Sequence, residues 1–241
     1  MCGRYASSRR PEDLVEEFEV DRTVASDLGP NYNVAPTQEV YAILERPETD
    51  EHPRERQLRT LRWGLVPSWA KDPSIGNRMI NARRETVLDK PAYRRAARSR
   101  RCLLPADGYF EWYVTEQVNA RGKPIKQPFF IHHADGSVLA MAGLYEIWVD
   151  PTRGEDDPDR FRWTCTVLTT EAEDELGRIH DRMPLLIDPA RYDSWLDPAN
   201  DDAEEVLGLL VPAAPGLLEA YPVSTAVNNV RNNGPELVEA L

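Results

Sequence analysis

The chain has 241 residues, of which 41% are hydrophobic and twenty are proline, which is enough to build one large globular domain with its own core. It has no apolar run long enough for a transmembrane helix, and its start lacks a charged region followed by an apolar run, so we expect no signal peptide and a cytoplasmic location. The three cysteines (Cys2, Cys102 and Cys165) are odd in number and lack CxxC spacing, so neither a disulfide framework nor a zinc site is expected.

The formal net charge of −12 is unevenly distributed along the chain. Residues 54–101 contain fourteen Lys or Arg against four Asp or Glu, a local net charge of +10, so the rest of the chain carries −22. Such asymmetry is compatible with one basic face that binds polyanions, or with ordinary solvated helix faces. Acidic runs at 155–159 and 197–202, and only four lysines, are typical of proteins from a high-salt cytoplasm.

The first half of the chain is predicted to alternate between helices and strands. A helix is expected at 11–20, because a proline suits its first turn and Leu14, Val15 and Phe18 share one face. The turn-rich segment 29–38 leads to a strand at 40–44. A second strand begins at residue 58 and breaks at a glycine and a proline, and a basic helix is predicted at 90–101.

The second half is predicted to be richer in strands. These are 102–114, interrupted by a turn, 127–133 beyond a hairpin, 138–149 and 161–170. Thr170 and Glu173 form a capping-box pattern that predicts a helix at 171–179. Further helices are expected after Asp188 and at 201–210, the last one capped by Asn200, with a strand and an asparagine-rich loop in the tail.

This order of elements lacks the regularity of βαβ units. We therefore predict an α+β fold, a single domain spanning 1–241, with a mostly antiparallel, barrel-like β core flanked by helices. We expect the protein to be a monomer.

Cys2 lies one step behind the initiator methionine, and removal of Met1 would make it the N-terminus. Its amine and thiol could then both add to one aldehyde carbon and close a five-membered thiazolidine ring. An α-amine has a pKa of about 7.7–8.0, so a useful fraction is neutral near pH 7. The alternative is a buried, small hydrophobic residue.

Glu111 and His180 are candidate acid–base groups. Glu111 alternates with aromatic neighbours along a strand, which would raise the pKa of its carboxyl; otherwise it is an exposed strand residue. His180 follows a predicted helix and is the best of the four histidines for proton transfer, unless it is structural. Asp181 is not expected to pair with it, because sequence neighbours on a helix do not face each other.

A third group of residues is suited to nucleic acid. Asn81 can donate to and accept from a sugar, while Arg83 and Arg84 match phosphate oxygens. Trp63 and Trp69 lie in the basic stretch, an arrangement that holds single strands by stacking, although Trp63 is equally suited to the core.

Several motifs occur together and in order along nearly the whole chain, and in combination they resemble the SRAP (SOS response-associated peptidase) family. They are MCGRY (1–5), NYNVAPT (31–37), RWGLVPSW (62–69), MINARRET (79–86), RCLLPADGYFEW (101–112), QPFFI (127–131), AGLYEIW (142–148), IHDRMP (179–184) and VNNVRNNGPEL (227–237). The resemblance implies recognition of abasic sites in single-stranded DNA and covalent attachment of the lesion to the processed N-terminal cysteine.

The resemblance also implies roles for individual residues. Cys2 would be the nucleophile, Asn81 would position it and the sugar, Glu111 would shuttle protons, and His180 would assist ring opening and release. The DNA-binding residues would be Arg4 and Arg83 on phosphates, together with Arg84, Asn33 in support of the pocket, and Pro36 and Trp69 against neighbouring bases.

Two other functions stay open at this stage. One is a peptidase or amidohydrolase that uses Cys2, with removal of Met1 as its minimal substrate. The other is a non-covalent reader of modified bases, which would not need Cys2. None of the three requires a cofactor or a metal.

Overall fold

The computed structural model describes residues 2–50, 53–172, 174–214 and 216–241. Met1, whose removal the sequence predicts, and Glu173, half of the predicted capping box, lie outside the described residues. The β-strands are β1 (Tyr5–Ser7), β2 (Arg22–Thr23), β3 (Asn31–Val34), β4 (Glu39–Arg46), β5 (Glu55–Trp63), β6 (Asn81–Arg83), β7 (Arg101–Ala106), β8 (Gly108–Val118), β9 (Pro124–His133), β10 (Leu139–Val149), β11 (Phe161–Glu171), β12 (Arg182–Pro184) and β13 (Leu218–Pro222). The α-helices are α1 (Pro11–Glu17), α2 (Arg94–Ser99), α3 (Tyr192–Leu196) and α4 (Ala203–Leu209), and short 3-10 helices occupy several connections.

Five strands close into a barrel. β11, β10, β7, β4 and β5 pair in that order, and β5 returns to β11 through a parallel contact that aligns Trp63 with Cys165. The contacts within the order β11-β10-β7-β4-β5 are antiparallel. The predicted α+β fold with a mostly antiparallel, barrel-like core is therefore confirmed.

Strand alternation divides the apolar residues between two cores. Trp63, Cys102 and Cys165 point into the barrel and are fully buried. Residues on the opposite face of the same strands, such as Leu103, pack against the helices, which contribute Leu14 and Trp195. Each such fully buried large side chain contributes about 1.5–3 kcal/mol to folding.

A second sheet, in the order β13-β9-β8-β1-β3, carries the N-terminal segment. Tyr5 of β1 lies opposite Tyr109 of β8, and both side chains join the apolar cluster inside the barrel. The other face of this sheet has its own small core around Phe110, Phe130 and Val227. The segment from Cys2 to Tyr5 is thus packed between this sheet and the barrel.

Most predicted elements are confirmed, and the exceptions have local causes. The predicted helix at 171–179 is wrong: β11 continues to Glu171, because Thr170 pairs with Met183 of β12, and only Asp174–Arg178 form a 3-10 helix. The last helix is capped by Asp202, not Asn200, since the Asp202 carboxylate accepts from the backbone N–H groups of Glu204 and Glu205.

Among the described residues, no helix is long and apolar enough to cross a membrane.

Candidate active site

Cys2 is completely buried, between the second sheet and the barrel. The segment that follows it is fixed by the β1–β8 ladder, including a 2.9 Å hydrogen bond from the Phe110 N–H to the Arg4 carbonyl. Burial, and then the negative charge of Glu111, raises the pKa of the Cys2 thiol well above its usual range. The thiol therefore keeps its proton at neutral pH and needs a nearby acceptor to react.

Asn81 holds the backbone of Cys2. It lies on β6, which runs parallel to β11 and aligns Asn81 with Val167. Its Nδ2 donates to the Cys2 carbonyl over 2.7 Å. Its Oδ1 is buried and has no hydrogen-bond partner among the described residues. One end of the amide thus fixes the cysteine, and the other end is available as an acceptor.

Glu111 and His180 form an acid–base pair next to this cysteine. Glu111 lies on β8 and is only 3% exposed, and burial raises the pKa of its carboxyl to about 7. His180 Nε2 is 3.9 Å from Glu111 Oε2. Burial also lowers the pKa of His180, which favours the neutral ring.

The Nδ1 atom of His180 faces the backbone and a second carboxylate. It accepts from the Arg182 N–H at 3.0 Å and lies 3.0 Å from Asp181 Oδ1. The Arg182 N–H requires a lone pair on Nδ1, whereas the Asp181 carboxylate requires a proton there, so the two contacts favour opposite tautomers of the neutral ring. The expectation that Asp181 does not contact His180 is wrong, because the chain has left the 3-10 helix by this point and the helical rule no longer applies.

Arg4 and Asn33 form hydrogen bonds to the C-terminal loop (227–232) beside the site. Arg4 Nη1 donates to Asn33 Oδ1 at 2.7 Å and to the Val227 carbonyl at 2.9 Å. Asn33 Nδ2 donates to the carbonyls of Val227, Asn229 and Asn232. Asn33 thus supports the wall of the site, while at least part of the Arg4 guanidinium is engaged within the protein.

The other predicted DNA-binding residues lie at different depths. Arg83 is exposed and shares one face of β6 with Asn81, two residues away. Trp69 is 60% exposed. Pro36 is half-buried, and Arg84 reaches toward α4, where its Nη2 lies 3.4 Å from the Leu207 carbonyl. The structure thus brings Cys2, Asn81, Glu111 and His180 together, and no contact between described residues joins Trp69 or Arg84 to them.

Comparison with known proteins identifies the family. Residues 1–230 match the SRAP family, described as SOS response associated peptidase. The chain belongs to this family. The resemblance inferred from the sequence motifs is therefore confirmed.

Related SRAP proteins cover the whole chain. The abasic site processing protein YoqW of Bacillus subtilis is 38% identical over 241 residues, 100% of both chains. YedK of Escherichia coli, also named an abasic site processing protein, is 34% identical and covers 99% of each chain. A crystal structure of a Bacteroides thetaiotaomicron protein has the same fold, with a TM-score of 0.81 at 24% identity over 100% of both chains.

An open groove of about 1050 Å³ borders the acid–base pair in this SRAP chain. One side of the groove is lined by Tyr113 of β8 and by Phe129 of β9, which lies opposite Glu111 in the ladder. Ile179, directly before His180, lines it as well. The groove therefore lies beside the site, on the face of β8 that carries Glu111.

The basic stretch of this family member does not form one uniform face. Arg56 and Arg101 are buried: Arg56 pairs with Glu45, and Arg101 donates to backbone carbonyls, including that of Trp195. The exposed cations of the stretch include Arg83, Arg95 and Lys71. Part of the local positive charge thus serves the fold.

Two residues near the site were not singled out from the sequence. Tyr5 and Tyr109 share the apolar cluster of Cys2. The available signal for Tyr109 is its position two residues before Glu111, which places both side chains on one face of a strand. No group of three or more His, Cys, Asp or Glu able to hold a metal occurs in the described part of the chain.

Proposed function

We propose that the protein joins abasic sites in single-stranded DNA covalently to Cys2, once Met1 has been removed. SRAP relatives named abasic site processing proteins support this proposal. The observation that carries it is the buried Cys2, held by Asn81 at 2.7 Å, beside a Glu111 carboxyl whose pKa is about 7.

The first bond would form at nitrogen. The ring-opened sugar presents an aldehyde, and the neutral α-amine of Cys2 attacks its carbon. A C–N bond forms, and the carbonyl oxygen becomes a hydroxyl. Protonated Glu111 then donates the proton with which this hydroxyl leaves as water, giving a protonated imine and the Glu111 carboxylate. A carboxyl with a pKa of about 7 is suited to this step, because the acid and its conjugate base are both populated near neutrality.

The second bond would form at sulfur. The Cys2 thiol adds to the carbon of the protonated imine, its proton passes to the Glu111 carboxylate, which returns to its acid form, and a neutral thiazolidine results. The raised pKa of the thiol is less of an obstacle here than in an intermolecular reaction, because sulfur and imine carbon belong to one residue and its adduct. A peptidase, in contrast, relies on a thiolate, which burial disfavours.

His180 would connect Glu111 to solvent. Its side chain is 31% exposed whereas that of Glu111 is 4% exposed, and the two are 3.9 Å apart. The imidazole can therefore take up or deliver the protons that the buried carboxyl exchanges. The same pair would assist the opening of the sugar ring and the reversal of the adduct.

The depth of Cys2 supports a flexible, single-stranded substrate. A sugar without a base is small, and a single strand can bend to place it at a completely buried residue. The exposed Trp69 offers a stacking surface for a neighbouring base, and the exposed Arg83 a phosphate contact. Pro36, Arg4, Arg84 and Asn33 would complete or support this surface.

The test is intact-protein mass spectrometry with a single-stranded oligonucleotide containing one abasic site. We expect loss of Met1 and a one-to-one adduct that weighs one water less than its components. Borohydride should leave its mass unchanged, whereas a simple imine would gain two hydrogens and become an amine. Cys2→Ala abolishes the adduct. Cys165→Ala is the matched control, because it removes a thiol that is equally buried but belongs to the barrel interior.

Two DNA controls distinguish the alternatives. An oligonucleotide whose aldehyde has been reduced beforehand must give no adduct. A non-covalent reader would bind that oligonucleotide equally tightly as Cys2→Ala and as the natural chain. It would also form no adduct with an intact lesion. Peptide turnover without a DNA adduct would indicate a peptidase.

A further inference from the structure

Tyr109 has a hydroxyl group that the fold does not use. Its side chain is only 1% exposed. The hydroxyl oxygen is buried and has no hydrogen-bond partner within the described residues. Leaving a buried polar group unpaired costs stability, and phenylalanine would fill the same space without that cost. The hydroxyl therefore needs an explanation other than packing.

The position of Tyr109 points to the reaction centre. It lies two residues before Glu111 on β8, so both side chains are on the same face of the strand. Opposite it in the ladder is Tyr5, three residues after Cys2, and Tyr109 and Cys2 belong to one cluster. The hydroxyl thus belongs to a side chain that shares the buried cluster of Cys2 and the strand face of Glu111.

The hydroxyl can act only as a neutral group. Burial, followed by the charges of Cys2 and Glu111, raises the pKa of Tyr109 well above its usual range. It keeps its proton at any pH at which the protein works. It is therefore suited to donate a hydrogen bond, not to accept a proton.

We propose that Tyr109 is a further catalytic residue, whose hydroxyl donates a hydrogen bond to the oxygen on the aldehyde carbon of the substrate. This inference rests on the proposed crosslinking function. As the Cys2 amine forms the C–N bond, the C=O electron pair moves onto that oxygen, and the donor stabilises the developing charge. Glu111 supplies the proton with which the oxygen leaves as water, so Tyr109 itself gains and loses no proton.

The experiment is single-turnover crosslinking by the full chain and by Tyr109→Phe, at a series of concentrations of abasic oligonucleotide. We expect the maximal rate constant to fall about 10- to 100-fold, as for the loss of one donor to a developing oxyanion. The concentration for half-maximal rate and the final adduct yield stay unchanged. The melting temperature is the same or higher, because an unpaired buried hydroxyl has been removed.

These readouts separate catalysis from folding. Partial unfolding would lower the final yield, whereas loss of the donor lowers the rate constant. Tyr41→Phe is the matched control: the Tyr41 hydroxyl accepts from the Leu28 N–H at 2.8 Å in the other core, so this variant should melt earlier and react at the normal rate.

An unchanged maximal rate constant in Tyr109→Phe would overturn the inference. A lowered melting temperature beside that normal rate constant would then assign the hydroxyl a structural role. If the natural chain itself forms no adduct, the proposed function fails first; if it reacts and Tyr109→Phe reacts equally fast, only the role of Tyr109 fails.

Discussion

Burial raises the pKa of the Glu111 carboxyl to about 7, while an α-amine titrates at about 7.7–8.0. The amine must be neutral to attack and Glu111 must be protonated to release water, so the crosslinking rate should rise with pH, pass through a maximum near neutrality and then fall. Glu111→Gln cannot donate this proton. We expect it to react roughly 100-fold more slowly and to lose the falling limb above pH 7, as measured by single-turnover rates from pH 5.5 to 9.

The matched control for this variant is Glu116→Gln, an exposed carboxyl farther along the same strand, which should keep the full profile. A falling limb that persists in Glu111→Gln would assign it to another group and remove Glu111 from the acid role.

At the scale of elements, the side chain of Asn33 joins β3 to the C-terminal loop, next to a second link from the Tyr32 N–H to Asn233 Oδ1. Asn33 donates to three backbone carbonyls between Val227 and Asn232. Asn33→Ala removes three hydrogen bonds, although the Val227 carbonyl keeps its donor in Arg4, and we expect it to lower the free energy of unfolding by about 2–3 kcal/mol. Urea denaturation measures this change. Hydrogen exchange should also accelerate at 227–232 while the barrel strands stay protected.

Asn77→Ala, at an exposed residue whose side chain accepts a hydrogen bond from the half-buried Arg62, should change the stability by less than about 0.5 kcal/mol. Equal stability of the two variants would mean that the loop is held by other contacts.

Elements with strong local patterns could be predicted, and their assembly could not. The short continuous apolar runs of β4 and β10 and the apolar face of α1 identify those elements from a few neighbouring residues. The region after residue 170 fails because Thr170 suits both a helix cap and a strand, and its pairing with Met183 decides in favour of the strand. That pairing is a tertiary contact that local sequence does not specify.

In the candidate site, too, the residues could be predicted from the sequence, and their spatial arrangement could not. Family motifs named Cys2, Asn81, Glu111 and His180, but not what holds them together. Their approach depends on the β1–β8 and β6–β11 ladders, which join residues about a hundred positions apart. Tyr109 was missed because an aromatic residue in a strand is ordinary core, and only the structure shows that its hydroxyl is unpaired.

For the whole molecule, the net charge of −12 disfavours DNA binding. Some cations of the basic stretch, such as Arg56 and Arg101, are buried within the protein and cannot contact DNA. If Arg4, Arg83 and Arg84 are the principal phosphate contacts, the logarithm of the binding constant should fall with that of salt concentration with a slope of about −2, at roughly 0.7 per contact on a single strand. Cys2→Ala with the oligonucleotide whose aldehyde has been reduced isolates this non-covalent step, and fluorescence anisotropy between 50 mM and 1 M salt measures it.

Adding Arg83→Gln to Cys2→Ala should reduce the slope by about 0.7, whereas adding Arg95→Gln, at an exposed arginine on α2, should leave it unchanged. A slope steeper than about −5 would mean that the basic stretch binds phosphates as one surface after all. With the shallow slope, equilibrium binding becomes weak at molar salt, while a completed crosslink persists because a covalent bond is not screened. An acidic protein can then retain a damaged strand through chemistry at Cys2 where its surface charge gives little affinity.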